Sequence, residues 1–162
     1  MVISIKTRVI TKLINTSFRE LQPSDVESLF DIENANNECP WSSLHFASSV
    51  VDNATLSYGL FIEQKLVGYA LALVAIDTAD LLNIGIHPNY KRLGYGKILL
   101  DYLLVQLKKM NINDLILEVR VKNHMAINFY QKQGFEDIGT RERYYSNQED
   151  AKIMKIHIPH YK

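Results

Sequence analysis

The chain has 162 residues, with 18 Lys+Arg against 18 Asp+Glu, 47% hydrophobic and 10% aromatic residues, and one cysteine. That length fits one domain burying roughly 70% of the surface its unfolded chain exposes. The balanced charge offers no argument for nucleic acid or a membrane surface as partner, and no apolar run approaches the roughly 20 residues of a membrane helix.

With Cys39 alone there is neither an internal disulfide nor a multi-cysteine metal cage, which suits a reducing, cytoplasmic setting. Five histidines without HxxxH or HxH spacing indicate no metal site. No repeat, low-complexity tract or Pro/Gly-rich linker divides the chain, so residues 1–162 read as one domain. Lys6, Arg8, Lys12 and Arg19 precede the first acid, Glu20. Such a spacing is shared with transit peptides, but an extra N-terminal segment over 1–15 is the reading preferred.

In chain order, "TSFRELQ" (16–22) alternates as a short strand. Ser24 and Glu27 make a capping-box pattern opening a helix with apolar Val26, Leu29 and Phe30. Pro40 interrupts, and "SSLHFASSVV" reads as a second short helix. Residues 56–76 read as two strands joined by a turn at Gln64–Lys65, and "ADLLNIGIHP" as another strand stopped by Pro88. From Gly96 to Met110, apolar residues recur at 99, 103, 107 and 110. Lys108 and Lys109 sit where cations suit a helix end. "DLILEVRV" (114–121) is a strand, and "NHMAINFYQKQG" a helix with an Asn cap and a Gly terminator. The remainder reads as two strands with a turn near Asn147. The order β-α-α-β-β-β-α-β-α-β-β implies a mixed α/β fold with helices on both faces of the sheet. The strand at 79–87, its helix and the strand at 114–121 form a parallel crossover.

"KRLGYGKILL" (91–100) places Gly94 and Gly96 at a strand-to-helix junction. Either the turn needs positive φ, or the glycines let an anion reach the first helix amides. A Walker A loop fails on spacing and on Ile98 after Lys97; a dinucleotide fingerprint fails because Leu99 stands where its third glycine belongs.

Lys91-Arg92-Leu93-Gly94-Tyr95-Gly96 resembles the pyrophosphate loop of the GNAT N-acetyltransferases, Gln/Arg-x-x-Gly-x-Gly/Ala, with Lys91 departing at the first position. The likeness extends over roughly 16–158. "CPWSSLHF" (39–46), "LEVRVKNHMAINFYQKQGF" (117–135) and "RYYSNQEDAKIMKI" (143–156) bring it nearest to the ribosomal-protein-alanine N-acetyltransferases. The resemblance implies a mostly antiparallel sheet of six or seven strands with one central parallel βαβ unit. It also implies acetyl-CoA as co-substrate, held by the backbone of Ile84, Gly85 and Ile86, by Arg92, Leu93, Gly94, Tyr95, Gly96 and Lys97, and by Asn123. Trp41 and Tyr144 then line the acceptor site.

In "LILEVRV", Glu118 shares a strand face with Ile116 and Arg120. A carboxylate there is costly unless paired or used; it is either a structural salt bridge with an arginine or the general base for the incoming amine. Tyr130 is either a core aromatic or the proton donor to the leaving thiolate. Tyr144 and Tyr145 point to opposite faces if their strand is regular, which leaves one of them, Tyr144, for the acceptor. Cys39, with no histidine nearby in sequence, is a poor nucleophile, and His87 beside the loop is incidental. The reaction implied is acetyl transfer to a protein N-terminus, an alanine on a small-subunit ribosomal protein, by direct attack. The alternatives are acetylation of a small amine or lysine side chain, or a non-catalytic coenzyme A binding module, which would need neither Glu118 nor Tyr130.

Overall fold

The computed structural model describes residues 16–160, so the reading of 1–15 as an extra or transit-like segment lies outside the described residues. The described residues form a mixed sheet of seven strands in the order β1-β2-β3-β4-β5-β7-β6. Two compact units divide the chain, one running up to Leu71 with Ile84–Leu99, the other comprising Ala72–Asn83 and everything from Leu100 on.

In the first unit, β1 (Thr16–Glu20) pairs antiparallel with β2 (Thr55–Ile62), Thr16 opposite Ile62 and Glu20 opposite Tyr58. A 3-10 turn over Pro23–Asp25 precedes α1 (Val26–Asn34). The helix entry therefore differs from the Ser24–Glu27 expectation, because Asp25 is the residue that organises it. Asp25 accepts the Gln22 amide at 2.8 Å and both terminal guanidinium nitrogens of Arg19 at 2.7 and 2.9 Å. Pro23, with φ preset and no N–H to satisfy, starts the turn one residue earlier than the capping box predicts. The Arg19 guanidinium holds the Asp25 carboxyl below its ordinary range.

Next comes α2 (Ser43–Val51), with Ser42 Oγ accepting the His45 amide at 3.2 Å. Between β2 and β3 (Lys65–Val74) the chain reverses through Glu63 and Gln64, at φ 49° and 69°. The turn thus falls one residue before Gln64–Lys65, because two successive left-handed residues match the strand twist. β3 is buried continuously from Leu66 to Ala72, as a strand covered on both faces must be. β4 (Thr78–Ile86) ends before a 3-10 turn, Pro88–Tyr90, and α3 (Tyr95–Lys109) follows.

In the second unit, the start of β4 pairs parallel with β5 (Asp114–Arg120), Thr78 opposite Asp114 and Leu81 opposite Leu117. Leu115, Leu117 and Val119 of β5 are buried, while Ile116, Glu118 and Arg120 alternate on the less covered face. α4 (His124–Lys132) is capped by Asn123 and followed by Gly134 at φ 95°. The last two strands are β6 (Glu136–Arg141) and β7 (Ala151–His157). β7 lies between β5 and β6, antiparallel to both, with Glu118 opposite Ile153 and Arg141 opposite Ala151.

Candidate functional site

The glycine loop belongs to the first unit. Arg92 and Gly94 have φ of 61° and 89°, so the chain enters α3 through left-handed backbone that a β-branched residue resists. Lys91 to Gly94 are exposed, a Cβ at Gly94 would meet nothing within 4 Å, and Gly94 accepts the first helical bond, from the Ile98 amide at 3.2 Å. Tyr95 is buried, and its ring stacks edgewise on Tyr90, itself edgewise on His87. His87 also caps the 3-10 turn by accepting the Asn89 amide at 3.2 Å, so it is a structural part of the turn. The loop is an open turn on a rigid aromatic base, with the helix dipole's positive end behind it.

Next to this loop, β4 runs beside a carboxylate that sequence reasoning missed. Glu33 of α1 is 1% exposed, the one charged residue in the buried set among the described residues. Its oxygens accept from Asn37 Nδ2 at 2.7 Å, the Trp41 amide at 3.1 Å and the Tyr69 hydroxyl at 2.5 Å. No cation reaches it among the described residues. Burial, then the charge of Glu33, pushes the Tyr69 phenol far above its ordinary range, so the hydroxyl stays a donor. A Cβ at Gly85 would lie 2.7 Å from the Tyr69 ring, so glycine is what lets β4 approach. Asn36 donates its side-chain amide to the Ile86 carbonyl at 3.0 Å. The Trp41 ring packs on Phe46 at 5.4 Å and edgewise on His45 at 5.9 Å. Trp41, Ile84, Gly85, Ile86 and the glycine loop therefore lie in one connected unit. The missed signal was spacing: Glu33 stands four residues after buried Leu29, on α1's apolar face. Cys39 lies exposed in the loop before Trp41.

The second unit carries the other candidates. Glu118 pairs with the guanidinium of Arg141, and the Tyr144 phenol lies beside the same carboxylate. Interaction with Glu118, then burial, raises the Tyr144 phenol above its usual value, while Arg141 pulls the other way. Arg120, two residues on along the same face of β5, bonds Asn147 Oδ1 at 3.2 Å and Glu149 Oε2 at 3.1 Å, and its guanidinium sits 3.8 Å over the Tyr145 ring. The strand premise for Tyr144 and Tyr145 is overturned: both lie in the loop between β6 and β7. Free of strand alternation, they reach the same β5 face, rings 5.1 Å apart and edge to face. Tyr130 is buried against Phe129 and Phe135, each 5.3 Å away. Burial, then the neighbouring Tyr145, holds its phenol above the ordinary value. Asn123 spends its side-chain oxygen on the Ala126 amide at 3.1 Å, leaving its NH2 as donor. Arg141 carried no sequence signal of its own, since β7 inserts between its strand and Glu118's.

Among the described residues no group of three or more His, Cys, Asp and Glu is placed to hold a metal, and no helix is long and apolar enough to cross a membrane.

Residues 15–135 match the family model described as Acetyltransferase (GNAT) family. The ribosomal protein bS18-alanine N-acetyltransferase of Escherichia coli is 36% identical over 141 residues, covering 85% of this chain and 95% of that one. The crystal structure of an Escherichia coli ribosomal-protein-alanine N-acetyltransferase superposes with a TM-score of 0.83 at 33% identity, covering 91% of this chain and 96% of that one. A paia N-acetyltransferase from Thermoplasma acidophilum, solved in complex with coenzyme A, shares the fold with a TM-score of 0.75 at 21% identity, over 88% and 98% of the two chains. The chain belongs to the GNAT acetyltransferase family. Its activity is that of an acyl-CoA-dependent N-acetyltransferase.

Proposed function

We propose that the protein transfers the acetyl group of acetyl-CoA to a protein N-terminus, the alanine of ribosomal protein bS18, in the cytoplasm. What carries the acceptor is the 36% identity to the Escherichia coli enzyme along 95% of that chain. The amides of Arg92 to Lys97, including those of Leu93, Gly94, Tyr95 and Gly96, would hold the pyrophosphate at the start of α3. The open, left-handed turn fits that task. The β4 backbone at Ile84, Gly85 and Ile86 would hold the pantetheine arm, with Asn123 a further donor. Bound acetyl-CoA supplies an activated thioester.

Glu118 takes one proton from the acceptor ammonium. The α-amine has an ordinary pKa of roughly 7.7–8.0, so a fraction of it is already neutral near pH 7. Only modest help from a general base, acting directly or through water, is needed to free its lone pair. The C–N bond then forms and the C–S bond breaks. The nitrogen's second proton leaves as the amide forms and ends on the departing sulfur, which leaves as thiol. Tyr130, kept protonated by burial, acts as hydrogen-bond donor to the sulfur. Full transfer from so weak an acid to a thiolate whose conjugate acid has an ordinary pKa near 8.5 runs uphill. The family likeness assigns the acceptor to Trp41, tied through its amide to Glu33, and to Tyr144, beside Glu118. No step calls for a metal, and Cys39 takes no part.

Mass spectrometry of peptides incubated with the protein and acetyl-CoA tests this. Ala-initiated peptides gain 42 Da (~, one acetyl for hydrogen), bulky first residues react poorly, and lysine ε-amines hardly at all. Preference for a lysine side chain or a polyamine overturns the acceptor while leaving the family intact.

A further inference from the structure

The arginine that holds Glu118 differs from its neighbour on the same face. Arg120 is fixed by two oxygen acceptors and by an aromatic ring at 3.8 Å, with its side chain 33% exposed. Arg141 is 58% exposed, at the end of the sheet's outermost strand. It rests on Glu118 and, more loosely, on the Tyr144 ring at 5.4 Å. An exposed pair of this kind is worth little and is broken cheaply. The carboxylate is the more enclosed partner, at 25% exposure, and is kept in place by β5. The cation is therefore the part free to leave.

We propose that Arg141 is a latch on the acceptor site, standing on Glu118 in place of the acceptor's ammonium. A charged N-terminus displaces it, because one cation replaces another on the same carboxylate. The acetylated product is neutral and offers Glu118 no charge, so Arg141 closes again and the product is expelled. The inference rests on Glu118 being the group that meets the acceptor amine.

Calorimetry separates the two ideas. A hexapeptide beginning with Ala, and its N-acetylated counterpart, are titrated into the coenzyme-A-bound protein, as wild type, Arg141→Gln, Arg141→Lys and Glu118→Gln. Arg141→Gln has no latch to displace, so both peptides bind about two- to fivefold more tightly, the range set by an exposed ion pair. In turnover the KM for the acceptor falls by a similar factor, the KM for acetyl-CoA is unchanged and inhibition by acetylated product strengthens. Arg141→Lys restores wild-type values, and the difference between wild type and Arg141→Gln shrinks at high salt. Equal or weaker binding of the Ala peptide by Arg141→Gln overturns the latch and makes Arg141 a structural or acceptor-holding residue. Unchanged affinity for the acetylated peptide overturns its closing on product. Glu118→Gln, which lacks both the latch and its anion, reports separately against Arg141→Gln: if the Ala peptide binds these two variants equally tightly, the role of Glu118 in meeting the amine falls.

Discussion

Glu33 in the first unit and Glu118 in the second are both glutamates among apolar elements, and their surroundings are opposite. Glu33 is 1% exposed and receives three neutral donors. Glu118 keeps a quarter of its side chain in solvent and is met by an exposed arginine and a tyrosine. A buried carboxylate with rigid neutral donors is a scaffold: exchanging any partner strands polar groups in a dry place. A half-open carboxylate with a movable cation can trade that cation for a substrate. The first arrangement holds the Trp41 loop and Tyr69 together; the second is suited to chemistry.

Substitution at each carboxylate tests the contrast, and the largest expected effect is on turnover. Glu118→Gln keeps the shape and removes the base, so kcat falls by about 10²–10⁴-fold. Its urea midpoint moves little, because the lost pair is exposed. Loss of folding in that variant would make Glu118 a scaffold like Glu33 and erase the distinction. Glu33→Ala behaves in the reverse sense: it orphans the Trp41 amide and the Tyr69 hydroxyl and costs about 3 kcal/mol in urea denaturation. A near-neutral Glu33→Ala would show that the buried network is replaceable by water.

Tyr69→Phe removes one donor to a buried charge, at a cost of roughly 1.5–3 kcal/mol at neutral pH. It also changes the alkaline limb. The folded-state pKa of Tyr69 is raised. Its stabilising contribution is thus full below the ordinary phenol value near 10 and is lost as pH rises beyond it, when the unfolded chain gives up the proton. Thermal melts across that range should fall less steeply for Tyr69→Phe, with the share from buried Tyr130 remaining. The smallest effect is that of Tyr144→Phe, about 1 kcal/mol or less in stability. There Glu118 keeps Arg141, and the acceptor KM is the quantity to measure.

Periodicity, caps and breakers together located the described α-helices and strands in order, though not the two 3-10 turns, because these signals are local properties of the chain. Glu118 was visible for the same reason: a charge inside "LILEVRV" violates a strand's expected burial. Tyr130 and Asn123 were visible only through the family's pattern, since an aromatic on a helix face and an Asn at a helix start are ordinary by themselves. Glu33 was hidden because glutamate on a short helix reads as solvated, and only the packing of Asn37, Trp41 and Tyr69 reverses that reading. The capping residue shifted from Ser24–Glu27 to Asp25 because Arg19, on the preceding strand, supplies a partner that local rules do not count.

Chain order, the glycine turn and the candidate base are written in residues close together in sequence, where backbone sterics and side-chain period decide the outcome. Which cation Glu118 holds was settled elsewhere. β7 enters between β5 and β6, and its register sets Arg141 two strands from Glu118, 23 residues away in the chain. The two tyrosines turn to one face because their loop is bound to Arg120 rather than to a ladder of backbone hydrogen bonds. Such long-range pairings depend on strand order and on what each side chain gives up in water, and no local pattern encodes either.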